Sequence, residues 1–295
     1  MASDIDSLAP ESLPAPQIPA LDLAQLAWFG LLLVLSYASV LYRLVQQWAD
    51  NPDMGHGFFV PLVAAYIAWL RRDQLLACDA VPNRWGLLLV AYGAIQLMAA
   101  TLGAELFLAR TAFIVSLAGV VLYLGGTRRF KLLAYPLFLL FFMIPIPAII
   151  YNQLTFPLQL LATRLAETAL GWLGIPVFRE GNILELASQR LSVVEACSGI
   201  RSLLSLSFLS LVYAFFFDSK VWMRWVLFAA TVPIAIVANA TRVTITGVLS
   251  NIRPDLAEGF FHSVEGWVIF MVALLFLILV HQAINRLYGV WHARR

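Results

Sequence analysis

Charge is what this 295-residue sequence has least of. Its 19 Lys or Arg and 17 Asp or Glu make up 12% of the chain, about half the share of a soluble globular domain. With 61% hydrophobic residues and a mean hydropathy of +0.84, a water-soluble fold would have to leave large apolar patches exposed. A cytosolic enzyme and a DNA-binding domain are excluded together, and a net charge of +2 is too small to attract a nucleic acid. Cysteine is nearly absent: Cys78 and Cys197 allow one disulfide at most, which excludes a disulfide-stapled secreted module. Residues 1–26 hold no Lys or Arg, so the basic leading region of a secretory signal is missing. Gly-rich phosphate loops and paired-Cys metal sites are missing too, and no cofactor or metal is expected.

What is there is a series of apolar runs long enough for a bilayer, which takes about 20 residues per helix. They are Leu26 to Val45, Phe58 to Leu70, Trp85 to Leu102, Phe107 to Leu124 and Leu132 to Ile150, then Ile200 to Phe217, Trp225 to Val248 and Val264 to Ile284. The expected fold class is an all-α polytopic membrane protein with about eight transmembrane helices. Residues 1–25 are expected to be a disordered tail, 26–288 a single membrane domain and 289–295 a basic cytoplasmic tail. Leu154 to Leu173 carries Gln159, Thr163 and Glu167 every fourth residue, a polar stripe on one helix face. It reads as a helix lying in the membrane interface. Basic residues collect at Arg71, Arg72 and Arg84, at Arg128, Arg129 and Lys131, at Lys220 and Arg224, and at Arg286, Arg294 and Arg295. Short cytoplasmic loops collect such residues, and eight spans put all four clusters and both termini inside. That topology exports 151–198, where Asn182 to Leu186 and Arg190 to Glu195 suggest a β-hairpin. Cys78 and Cys197 then lie on opposite sides, so no disulfide is expected between them.

Three polar groups fall at the outer face. Cys197 directly precedes the sixth span, where a helix N-terminus favours a thiolate. Arg201, one turn on, would act the same way. A thiolate attacks carbonyls; the plainer alternative is a small buried hydrophobe. Arg242 interrupts an apolar run and shares a helix face with Asn239. It faces a partner or a wet cavity, or else it snorkels to the headgroups. His262, in the loop before the eighth span, is either a base or a solvated side chain. His281 and His292 fall toward the cytoplasmic end and read as incidental. Cys197, Arg242 and His262 together supply a nucleophile, an oxyanion-binding cation and a base for acyl transfer.

The stretch Glu195-Ala196-Cys197-Ser198-Gly199-Ile200-Arg201, with Asn239-Ala240-Thr241-Arg242 and His262, resembles the exosortase/archaeosortase family of membrane cysteine transpeptidases. Gly55-His56-Gly57-Phe58 with Pro61 resembles a further block of that family. The resemblance implies Cys197, Arg242 and His262 as catalytic residues, with Arg201, Glu195, Asn239 and His56 supporting or binding substrate. It implies clients that are exported proteins ending in a short motif (Pro-Glu-Pro in many bacteria), a membrane helix and basic residues. Their cleavage would occur at the outer face of a bacterial inner membrane, with transfer to a lipid or glycan acceptor. Two alternatives stay open on the residues alone. One is a non-enzymatic transporter or scaffold for polysaccharide export, which would suit the break at Pro145 and Pro147. The other is a lipid-linked glycosyltransferase using Glu180, Glu185 or Glu195 as an outer carboxylate.

Overall fold

The computed structural model describes residues 23–187, 190–192, 199–253 and 259–293. Helix dominates it, because a helix satisfies its own backbone donors and acceptors where lipid offers none. The chain divides into two compact units: the described residues within Met1–Leu44 and Ala64–Phe141, and Val45–Val63 with those within Phe142–Arg295.

The first unit is assembled around close helix contacts. Helices α1 (Leu23–Ser36) and α2 (Ala38–Asp50) meet at Tyr37 and are bent by 69°. The buried Tyr37 hydroxyl sits 2.8 Å from Ser116 Oγ and 3.1 Å from the Ala112 carbonyl. After α3 (Phe59–Leu70) and α4 (Arg72–Ala77), helices α5 (Trp85–Leu102) and α6 (Leu106–Leu139) form a tight pair. A Cβ at Gly93 would lie 2.1 Å from Ser116 Oγ, and one at Gly86 would lie 2.3 Å from the Tyr123 backbone nitrogen. Small residues let the two backbones approach, as membrane helix pairs commonly do.

Helix α6 is broken at Gly126 (φ 71°), where two helices meet at a kink in a conformation that suits glycine; Arg128, Arg129 and Lys131, expected in a loop, are helical just beyond that break. Arg129 acts as a cap: its Nε and Nη2 donate to the Cys78 carbonyl (3.1 and 2.7 Å), at the open C-terminal end of α4. Arg71 Nη1 likewise donates to the Leu132 carbonyl. The fifth run also stops early. It passes through a 3-10 turn at Leu140–Met143 and then extends at Pro145 and Pro147, where fixed φ values and missing N–H groups end a helix.

The second unit holds α7 (Ala148–Trp172), a small sheet and three long helices. Gln159 and Thr163, members of the polar stripe on α7, are buried against the rest of the protein. The Thr163 hydroxyl donates to the Gln159 carbonyl (2.6 Å). Glu167 reaches Arg179 Nε at 2.6 Å, tying α7 to the sheet. Strands β1 (Val177–Glu180), β2 (Ile183–Leu186) and β3 (Arg190–Ser192) run antiparallel in that order. The tip and far end of the expected hairpin, 188–189 and 193–195, lie outside the described residues. Strand alternation turns Leu184, Leu186 and Leu191 onto Ala166 and Leu170 of α7.

Beyond the sheet come α8 (Gly199–Phe217), α9 (Val221–Ile252) and α10 (Gly259–Ala293). Their shared core is Leu206, Ala214, Met223, Leu227, Ala273 and Leu277. Among the described residues, 5 helices are long and apolar enough to cross a membrane, or 6 with the bent pair α1–α2. That number falls short of eight because two expected spans meet at the Gly126 kink within α6 and the apolar part of α8, Ser202–Phe217, is short.

Candidate active site

Each proposed catalytic residue comes from one of the three long helices or its N-terminal approach. Cys197 and Glu195 lie outside the described residues; the described part of α8 begins at Gly199, two residues on. For Arg201 on α8 and His262 on α10 the backbone alone is described. His262 is helical, in the first turn of α10, where a loop was expected. Arg242 lies on α9 and is half-buried.

What brings these segments together is a small cavity between the three helices. Ser202 and Leu206 of α8, Asn239 and Arg242 of α9, and Gly266 and Phe270 of α10 are among the residues lining it. Ser202 follows Cys197 by five positions and Gly266 follows His262 by four. The described residues that follow Cys197 and His262 therefore meet Arg242 at one cavity. Asn239, expected beside Arg242, is buried and also lines a second small cavity with Leu158, Leu203 and Val232.

Arg242 is held by its surroundings rather than left to snorkel. A Cβ at Gly266 would fall 3.1 Å from both the guanidinium carbon and Nη2, so the group lies against bare backbone of α10. Val243, the next residue, is fully buried with Leu184, Leu186 and Leu191 of the sheet. The sheet thus packs on the turn of α9 that carries Arg242. Glu265 is a polar residue that the sequence reading passed over. The Thr246 hydroxyl donates to its carboxylate, 3.1 Å from Oε1 and 3.0 Å from Oε2, and the Arg242 charge acts on it. The signal was present, as an acid inside an apolar run is expensive and marks function by default.

His56 stands in a 3-10 turn, Pro52–Phe58, packed within the second unit. Its Nε2 lies 3.2 Å from the Phe142 carbonyl and its Nδ1 lies 3.5 Å from Ser205 Oγ of α8. A Cβ at the neighbouring Gly57 would collide with the Trp48 indole at 2.5 Å; that indole donates to the Met143 carbonyl at 2.9 Å. The block around His56 therefore braces α8, and it lines neither cavity among the described residues.

A second polar cluster sits at the far ends of the same helices. Asp218, between α8 and α9, accepts from His281 Nε2 at 2.9 Å, from Asn285 Nδ2 at 3.0 Å and from the Lys220 backbone N–H at 2.7 Å. The Tyr213 hydroxyl lies 2.9 Å from His281 Nδ1, and Lys220 Nζ donates to Asn285 Oδ1 at 2.8 Å. Burial alone would raise the Asp218 carboxyl. The His281, Lys220 N–H and Asn285 hydrogen bonds and the Lys220 charge outweigh it and lower the pKa to about 2. His281, read as incidental, is thus a structural tie that pins α10 to the α8–α9 turn.

No curated protein and no solved structure matches the chain at a significant level. The profile described as transmembrane exosortase matches residues 48–279, a range that contains Cys197, Arg242 and His262, all of α8 and α9 and the first part of α10. The match covers most of the sequence, and the chain belongs to the transmembrane exosortase family.

Proposed function

We propose that this protein is a cysteine transpeptidase that cleaves the C-terminal sorting signal of exported proteins. The setting is the outer face of a bacterial inner membrane, with both termini cytoplasmic. The observation that carries the reading is the cavity where Ser202, Arg242 and Gly266 meet, next in sequence to Cys197 and His262. The Cys197 thiolate attacks the scissile carbonyl carbon. Arg242 holds the oxyanion that develops, the C–N bond breaks, and His262 gives a proton to the leaving amine. A thioester between Cys197 and the new client C-terminus remains. An acceptor nucleophile, a lipid or glycan component, loses its proton to His262 and attacks that thioester, which releases the Cys197 thiolate.

The client's basic tail stays cytoplasmic by the positive-inside rule, which brings the motif out where the site is read to lie. The glycosyltransferase alternative loses ground in the sheet. Arg190 Nη2 lies 2.5 Å from Glu185 and 3.8 Å from Glu180, so both carboxylates face a cation rather than the cavity. Transport is separated from catalysis by Cys197→Ala, which a transporter would tolerate. With an epitope-tagged exported reporter ending in Pro-Glu-Pro, an apolar helix and basic residues, the variant should leave the C-terminal helix attached. In acceptor-depleted membranes the wild type should accumulate an adduct of combined mass, cleaved by neutral hydroxylamine and absent in Cys197→Ala. Full processing by Cys197→Ala would sink the assignment.

A further inference from the structure

An arginine has four side-chain torsions to fix before its donors can serve a reaction, and that ordering is costly. Around Arg242 the cost is met by three features, two on the facing helix α10 and one on α9 itself. Gly266 leaves α10 without a side chain where the guanidinium lies, since a Cβ there would be 3.1 Å from its carbon. Thr246 follows Arg242 by four residues on α9, hence on the same face, and is fully buried. Its hydroxyl holds both carboxylate oxygens of Glu265 (3.1 and 3.0 Å). Glu265 is next to Gly266, so the carboxylate and the bare backbone against which Arg242 lies belong to the same turn of α10.

A carboxylate inside a membrane helix is retained at a cost and normally finds a compensating charge. Arg242, whose guanidinium lies against the adjoining Gly266, is the cation beside that turn. Thr246 alone would be a poor reason to keep a carboxylate, because one neutral hydroxyl does not offset even a half-buried negative charge. The geometry points to Glu265 as a positioning residue that, held by Thr246, orients the Arg242 guanidinium toward the cavity between α8, α9 and α10. This inference rests on the transpeptidase reading for what Arg242 does there. It adds a residue that does not itself touch the reacting atoms.

The test is a double-mutant cycle on the full-length protein in membranes, with the same exported reporter and with Cys197→Ala as the zero. Glu265→Gln keeps the shape and an acceptor for Thr246 but removes the charge. It should lower the saturated processing rate about tenfold or more while leaving the half-saturating reporter level within about twofold. Thr246→Val, close in volume, should produce a smaller loss of the same kind. Glu265→Asp should recover part of the rate. If Glu265 acts through Arg242, then in an Arg242→Lys background Glu265→Gln should cost less than about twofold more. Multiplying losses would show that Glu265 works elsewhere, for instance as a purely structural residue, and would overturn the inference. So would a wild-type rate in Glu265→Gln. If Glu265→Gln misfolds in a detergent thermal-unfolding assay, Thr246→Val carries the same cycle. A processing-competent Cys197→Ala would instead bring down the transpeptidase reading, an outcome separate from any in the cycle.

Discussion

At the scale of single residues, Arg242 and Gly266 are best understood together. Arg242 presents a planar fork, and Gly266 exists to let that fork lie flat on α10. Arg242→Lys keeps the charge but replaces the fork with a hydrated point on a flexible stem. Processing should fall about a hundredfold, the usual loss when one oxyanion donor is removed. A near-normal rate would reduce Arg242 to a general positive charge. Gly266→Ala makes the complementary change. The new methyl meets the far end of a flexible side chain, so the guanidinium should shift by a fraction of an ångström. Alanine is also the better helix former, by about 1 kcal/mol. The variant should therefore unfold at the same temperature or higher, yet process reporter about tenfold more slowly. Loss of stability in parallel with activity would mean that the glycine serves packing alone. The sequence made Arg242 visible because charge in an apolar run stands out. Glu265 carried the same signal and was passed over, whereas Gly266 was legible only with α9 and α10 set side by side.

At the scale of elements, the trio α8–α10 is tied at one end by the Asp218 cluster and carries the candidate site at the other. The cluster was illegible in sequence because Asp218 and His281 are 63 residues apart, and no local pattern announces the pairing. Its signature should be a pH dependence. The folded carboxyl titrates at about 2 against an ordinary 3.8, so the contribution is complete above the unfolded value and is lost as pH falls through the folded one. That difference is about 2 kcal/mol. Asp218→Asn should lower the thermal midpoint in detergent by several degrees at pH 7. The gap to wild type should hold constant down to about pH 4 and close as pH approaches 2. A gap that persists unchanged at pH 2 to 3 would show that the ion pair is not its source. The same helices explain why the span count was harder to read than the span positions. Hydropathy marks apolar runs, but helix resumes through Arg128 and Arg129 directly after the Gly126 kink, because Arg129 finds a carbonyl partner and a long basic side chain does not oppose helix.

At the scale of the whole molecule, sidedness is the property on which the transpeptidase reading depends, and basic residues are its source. Two of the four basic clusters are linked directly. Arg71 bonds the Leu132 carbonyl and Arg129 bonds the Cys78 carbonyl, so the α4 end and the Arg128–Lys131 stretch occupy one place. Loops that touch share a side, and the shared charge assigns that side to the cytoplasm. The proposed orientation therefore puts Cys78 in the cytoplasm. Lys220 and Arg224 flank the C-terminal end of α8, and Cys197 precedes its N-terminal end in sequence, so the same proposal puts Cys197 outside. With only two cysteines in the chain, each single alanine variant reports on one side. A membrane-impermeant thiol reagent applied to intact spheroplasts should label Cys78→Ala, through its remaining Cys197, and spare Cys197→Ala. After permeabilisation Cys197→Ala should label as well, since Cys78 is partly exposed. Labelling of Cys197→Ala in sealed spheroplasts would reverse the orientation. A nucleophile on the cytoplasmic side could not meet a motif that emerges with the exported client, and the proposed chemistry would then lose its substrate.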